Sequence, residues 1–157
     1  MPETAALDES VQNSQLTSHA LLLYDGVCGL CNSAVLWVIA RYHHDRFRFA
    51  PQQSPFATVI LRRHGMDHEA MLESNSVYLV LDAGSDHEKL FTQSDVTVNS
   101  LLLLGGHYRI FGFLLRAVPL FLRNAAYRLF ARNRYRLSRR YDACPVPAAG
   151  DRKKFLS

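Results

Sequence analysis

The sequence predicts an α/β fold, and three observations carry that reading. Ala20 to Tyr24 (A-L-L-L-Y) is a continuous apolar run, as in a strand buried on both faces, and Asp25-Gly26 ends it in a turn. From Leu30 to Tyr42 the chain is apolar, of helical length and free of Gly and Pro, and Arg46 to Ala50 (R-F-R-F-A) then alternates polar with apolar. Ser76 to Leu81 and Glu88 to Thr92 flank the turn cluster Asp82-Ala83-Gly84-Ser85-Asp86. A β-α-β start requires a right-handed crossover and a parallel strand pair, and the later hairpin adds an antiparallel edge.

The elements follow in order. Residues 1–18 are polar and aperiodic, and are expected to form a flexible tail. The helix from Leu30 is expected to be mostly buried, with Trp37 in the core. Pro51 and Pro55 close the second strand, and Phe56 to His64 is a short helix stopped by Gly65. Ser94 is expected to cap a helix that has Asp95 in its first turn and runs to Leu104, where Gly105-Gly106 ends it. Tyr108–Val118 and Leu120–Ala131 are two apolar-rich helices, broken or kinked at Pro119. Arg132 to Arg140 is a basic run, and Tyr141 to Gly150 is Pro-rich and irregular. This is the element order of a thioredoxin-like fold with extra C-terminal helices. The expected division is a tail at 1–18, one domain at 19–147 and a C-terminal tail at 148–157.

Composition narrows the function classes. The chain has 157 residues, 48% of them apolar and 20% charged, which suits one domain with a core. Only 8 Gly, 6 Pro and 3 Cys are present, too few for a collagen-like chain or a disulfide scaffold. No transmembrane segment is expected, because the run from Gly26 to Ala40 has 15 residues before Arg41, and a span needs about 20. The first ten residues carry three acids and no Lys or Arg, the wrong polarity for a targeting signal, so a cytoplasmic location is expected.

The net charge of +4 hides a split: residues 1–104 sum to −6 and residues 105–157 to +10. Such a basic end fits an acidic partner, an acidic membrane surface, or a solvated Arg face. Nucleic acid is not expected, since no recognisable nucleic-acid motif accompanies the charge.

The chemistry concentrates in Asp25-Gly26-Val27-Cys28-Gly29-Leu30-Cys31. Two cysteines three apart lie where a buried strand passes into a helix, a place where α/β sheets form sites. One helical turn brings both sulfurs to the same side, within reach of a disulfide. Cys28 falls at the helix start, where unpaired N–H groups and the helix dipole favour a thiolate. Cys31, one turn in, is expected to be better covered. Cys28 is therefore the expected attacking thiol and Cys31 the resolving thiol. Asp25 either accepts the Cys31 proton, provided that burial makes it basic enough, or bonds backbone N–H groups in the turn. Gly26 is expected to supply backbone freedom there.

Other readings stay open. A C-x-x-C pair is half of many zinc sites, and Cys144 with one of seven His would have to complete four ligands. His43-His44 and His64…His68 are the only close His pairs, and both read as surface residues. Two buried structural thiols in a non-catalytic binding module are a further alternative. No cofactor is expected.

The segment L-L-L-Y-D-G-V-C-G-L-C-N resembles the signature of the DCC family, thiol-disulfide oxidoreductase-like proteins named for a D-x-x-C-x-x-C motif. Asp25, Cys28 and Cys31 fall on the three named positions. Further matches are N-S-V-Y-L-V at 75–80, F-T-Q-S-D at 91–95, V-P at 118–119 and Y-R-L-F-A-R-N-R-Y-R-L-S-R at 127–139, followed by Cys144-Pro145. The resemblance covers roughly residues 20–147. It implies a thioredoxin-like fold and exchange of thiols with a protein or small-molecule disulfide, fed by an electron donor that the sequence does not identify. One departure from thioredoxins proper is that no proline precedes the third strand, where Asn75-Ser76-Val77 stands.

Three features lie outside that motif. Cys144 is either a third redox thiol or an inert buried residue. Arg132, Arg134 and Arg136 alternate around Tyr135; they either grip an acidic partner or phosphate, or pair with the acidic part of the chain while Tyr135 packs on the sheet. The Phe/Leu surface of 110–130 either docks on a membrane face or covers one side of the sheet as a helix hairpin.

Overall fold

The computed structural model describes residue 16 and residues 18–42, 45–67, 76–142 and 148–156. Most of the expected N-terminal tail, His43-His44, His68, Asn75 and Cys144 lie outside the described residues. The elements are β1 (Ala20–Tyr24), α1 (Gly29–Arg41), β2 (Phe47–Pro51), α2 (Pro55–Arg63), β3 (Tyr78–Leu81), β4 (Lys89–Thr92), α3 (Ser94–Leu104), α4 (Gly106–Ala117) and α5 (Leu120–Leu137), with a 3-10 turn at Arg152–Lys154.

The sheet order is β2-β1-β3-β4. β1 and β2 are parallel, pairing Leu22 with Phe49, while β3 runs antiparallel to both β1 and β4, pairing Leu79 with Leu22 and with Phe91. This is the thioredoxin-like arrangement, with α4 and α5 as the extra C-terminal helices. β1 is central, and all five of its residues are buried. Their alternation feeds two cores: Leu21 and Leu23 join Ile60, Leu61 and Val80 on the α2 side. Leu22 and Tyr24 join Val35, Val38, Phe49 and Val96 on the side of α1 and α3.

Several boundaries and environments differ from expectation, each for a packing reason. α1 is not mostly buried: only Gly29, Val35 and Val38 are, because a helix lying on one sheet face buries a single stripe. Trp37 is off that stripe and 37% exposed, edge-on to Tyr108 at 5.2 Å and under the Arg41 guanidinium at 4.5 Å. Ser94 does not cap α3; Gln93 holds the cap position without a side-chain bond, and the Ser94 hydroxyl donates to Asn124 Oδ1 of α5 at 2.5 Å. Ser54, by contrast, caps α2 ahead of Pro55 at its first position, accepting the Ala57 N–H.

Past Gly105-Gly106, both with positive φ, α4 folds back on α3. Gly112 permits that approach: a Cβ there would meet Leu102 Cδ2 at 2.9 Å. Pro119 then turns the chain, and α4 and α5 meet at a 110° bend. The basic run does not stand apart, because α5 continues through it to Leu137. Near the start of α5, Arg123 pairs with Asp95 of α3 at 2.9 Å. Nor does the α4–α5 pair cover the sheet, for α1 and α3 already do. α4 rests on α3, and α5 on α1 and α3, leaving a large apolar surface outward. Among the described residues no single helix is long and apolar enough to cross a membrane. At the C-terminus, Phe155 packs on Phe49 and Tyr24, and the Leu156 N–H bonds Phe49 O at 2.8 Å.

Candidate active site

The end of β1, the turn 25–27 and the first turn of α1 bring Asp25, Cys28 and Cys31 together. Cys28 occupies the N-cap of α1 in an extended conformation. Its Sγ accepts the Cys31 N–H at 3.3 Å, doing with sulfur what Ser or Asp oxygen does at other helix starts. Asn32 locks the turn, its Nδ2 donating to Gly26 O at 2.7 Å and Cys28 O at 3.0 Å. Both cysteines are free thiols. The Cys31 thiol hydrogen-bonds the Cys28 sulfur and, against burial, draws its pKa down from 9.0 to about 6; the Cys31 N–H and the Arg134 charge act in the same direction, and Asp25 opposes them. The same bond, together with burial and the Cys28 charge, holds Cys31 far above its ordinary value. Both shifts run the same way, towards a thiolate at Cys28 and a thiol at Cys31 at neutral pH.

Asp25 is buried, and its carboxylate is fully engaged. Oδ1 accepts the Val27 N–H at 3.2 Å and Gln53 Nε2 at 2.9 Å. Oδ2 accepts Arg134 Nη2 at 3.0 Å and the Tyr135 hydroxyl. Of its two expected roles, the backbone bond in the turn is present. Arg134 stands between Asp25 and the sulfurs, with Nη1 3.8 Å from Cys31 Sγ. Gly26 has no positive φ; its N–H bonds Gln53 Oε1 at 3.1 Å, so backbone freedom is not what the site takes from it. Gly29 is the glycine that the geometry needs, since a Cβ there would lie 2.7 Å from Arg139 O.

That close approach comes from a strap that follows α5. The Gly29 N–H donates to Arg139 O at 2.9 Å, the Tyr141 N–H donates to Val27 O at 2.7 Å, and Cys28 bridges Arg140. The strap reverses the expected order of exposure: Cys28 is 0% exposed, and Cys31 is the half-buried one.

Arg134 was the residue least visible from sequence. It is 4% exposed, and one guanidinium serves Asp25, Tyr135 and Cys31. Of the two readings of the Arg cluster, internal pairing holds for Arg134; Arg132 and Arg136 are exposed. Tyr135 does not pack on the sheet but joins the Asp25 network, with the Arg134 and Arg140 guanidiniums over its ring. The available signal was helical spacing, for Tyr127, Ala131 and Arg134 share one face of α5.

Cys31 and Arg134 also line an apolar cavity of about 310 Å³, walled by Tyr24, Val35, Leu104 and Phe130 among others. Tyr127 borders it, and its hydroxyl accepts the Val77 N–H at 3.0 Å. The backbone donor just before β3 is therefore occupied from within the fold. The described peptide bonds are all trans. Among the described residues no three His, Cys, Asp or Glu side chains gather as a metal centre would require.

The sequence model of the DCC1-like thiol-disulfide oxidoreductase family matches residues 22–140. The chain is 29% identical to the uncharacterized protein YuxK of Bacillus subtilis (strain 168), over 91% of this chain and 98% of that one. It is 30% identical to a chloroplastic DCC family protein of Arabidopsis thaliana, over 80% of this chain and 69% of that one. No solved structure gives a significant match.

Proposed function

Since the chain belongs to the DCC1-like thiol-disulfide oxidoreductase family, we propose that Cys28 and Cys31 exchange disulfides, with Cys28 as nucleophile and Cys31 as resolving thiol. The observation that carries this reading is geometric: Cys28 sits at the N-cap of α1 with its Sγ accepting the Cys31 N–H at 3.3 Å and Arg134 beside the pair, an arrangement that lowers the Cys28 pKa and raises that of Cys31. At neutral pH the first is already a nucleophile, and the second keeps its proton until needed.

Once the strap over it opens, the Cys28 thiolate attacks one sulfur of a substrate disulfide. A Cys28–substrate bond forms, the substrate S–S bond breaks, and the first substrate sulfur leaves as a thiolate. Cys31 then gives up its proton and attacks Cys28 Sγ. The Cys28–Cys31 disulfide forms and the second substrate sulfur leaves. The substrate has gained two electrons and two protons, one proton from Cys31 and one from solvent, and an external dithiol returns the pair to its starting state. In reverse the same steps oxidise a dithiol.

Arg134 offsets the Asp25 charge, so that a second anion is tolerated at Cys28. Asp25 acts as a positioning residue: it holds the turn through Val27 and fixes the guanidinium. The substrate is a protein or small-molecule disulfide with apolar flanks, because the space beside Cys31 is apolar. Strand-like pairing with the backbone ahead of β3 is disfavoured, as Tyr127 holds the Val77 N–H.

The test uses two variants with a chromogenic aromatic disulfide. Cys28→Ser is expected to abolish its reduction. Cys31→Ser is expected to accumulate one mixed disulfide at Cys28, seen as added mass. An unchanged rate in Cys28→Ser removes the proposal.

A further inference from the structure

We propose that the bent pair α4–α5 seats this protein on an anionic lipid bilayer, with the turn Val118–Leu122 inserted between headgroups and acyl chains. The first argument is unspent apolar surface. Ile110, Phe111, Phe113 and Leu114 are exposed on α4, and Leu120, Phe121 and Leu122 are exposed in succession at the start of α5, Phe121 by 70%. Contiguous apolar surface on this scale marks an interaction site.

The form of the surface selects the occupant. A protein groove takes one stripe of a helix. Here three consecutive side chains point out in different directions around the helix start. Lipid chains solvate every side of such a turn at once. Neither helix is long and apolar enough to span a bilayer, and the 110° bend prevents the two from forming one straight span. An interfacial seat in one leaflet fits that shape.

Charge selects the lipid. Residues 105–157 sum to +10. Arg116, Arg128, Arg132 and Arg136 are exposed, and no described residue forms an ion pair with them. An anionic headgroup layer supplies the missing countercharge. A second copy supplies the opposite, for a two-fold interface would set this basic surface against itself.

The seat also adjoins the candidate site. Phe130, Tyr127 and Thr97 line both the cavity beside Cys31 and the hollow bounded by Leu115, Val118 and Leu122. The seat and the cavity beside Cys31 are thus neighbours across one shared wall. The seating itself does not depend on redox chemistry.

Vesicle flotation tests the proposal, using the full chain with phosphatidylcholine vesicles and with vesicles that also hold about one-third phosphatidylglycerol. The protein is expected to float with the anionic vesicles, about tenfold more than with the neutral ones at low salt. Phe121→Glu with Leu122→Glu is expected to stay at the bottom while its helical circular dichroism is retained. Arg116→Glu with Arg128→Glu, a surface change, is expected to lose the preference for anionic lipid. Cys28→Ser is expected to float like the parent, which separates failure of the seat from failure of the thiol chemistry. Any of three results overturns the proposal: no flotation with either vesicle, unchanged flotation of the Phe121/Leu122 variant, or a stable dimer in light scattering that this variant disperses and vesicles do not capture.

Discussion

The hydrogen bonds from Cys31 do most to set the state of the Cys28 sulfur, and two neighbouring charges, Arg134 and Asp25, adjust it. Asp25 raises the Cys28 pKa and Arg134 lowers it, around a larger effect from the Cys31 hydrogen bond. Alkylation of Cys28 is therefore expected to rise with pH through a midpoint near 6, where an ordinary cysteine rises near 9. Removing one charge moves that midpoint in a known direction. Asp25→Asn takes away an opposing anion, so the midpoint is expected to fall. Arg134→Lys keeps a cation but loses the fork that reaches Asp25 and Tyr135 together, so the midpoint is expected to rise. Arg134→Leu leaves the Asp25 carboxylate buried without its cation and is expected to cost about 3–5 kcal/mol, read from chemical denaturation. Midpoints that stay at 6 in both conservative variants would show that the ion pair does not act on the sulfur.

At the scale of elements, the strap following α5 sets access to Cys28. Two backbone bonds hold it, Gly29 N–H to Arg139 O and Tyr141 N–H to Val27 O. Tyr141→Pro removes the second, and a lost hydrogen bond of about 1 kcal/mol raises the open population about fivefold. Alkylation of Cys28 at pH 8 is expected to quicken by that factor; an unchanged rate would mean that the strap does not gate the sulfur. Gly29→Ala should act in the same direction more strongly, since its Cβ would meet Arg139 O at 2.7 Å. Nothing in the sequence pointed to this strap. Patterns of two and 3.6 residues are local, and they marked β1, β3, the hairpin and the break at Pro119 well. The strap and the Arg134–Asp25 pair join residues more than a hundred positions apart, which no local pattern encodes. Trp37 is exposed, against expectation, for a related reason: an apolar helix reads as buried until the partner for each face is known. The C-x-x-C was legible because its strand, turn and helix are contiguous; its order of exposure was not, because the cover arrives from the far end of the chain.

At the scale of the whole molecule, the sulfur couples folding to redox state. A disulfide between Cys28 and Cys31 closes a very short loop, so its entropic gain is small, about 2 kcal/mol. The reduced form has a different source of stability. Its Cys28 pKa is about 6 when folded and near 9 in an ordinary environment. A lowered folded pKa stabilises the fold fully above about pH 9, and that stability is lost as pH falls to about 6. Cys31 is a neutral thiol in both states below about pH 9, so it does not cancel the effect in that window. Between pH 6 and 8 the reduced protein is therefore expected to gain about 1 kcal/mol per pH unit over the oxidised protein, which has no thiolate to offer. For a chain of this size that is about 3 °C in Tm per unit. Paired thermal melts of the two forms at pH 6, 7 and 8 should show the advantage of the oxidised form shrinking, then vanishing or inverting. A gap that stays constant would place the Cys28 thiol at its ordinary value and deprive the pair of its nucleophile at neutral pH. A gap that closes with the expected slope would locate the driving force for exchange in the reduced state, where the Cys31 hydrogen bond and the Arg134 charge meet on one sulfur.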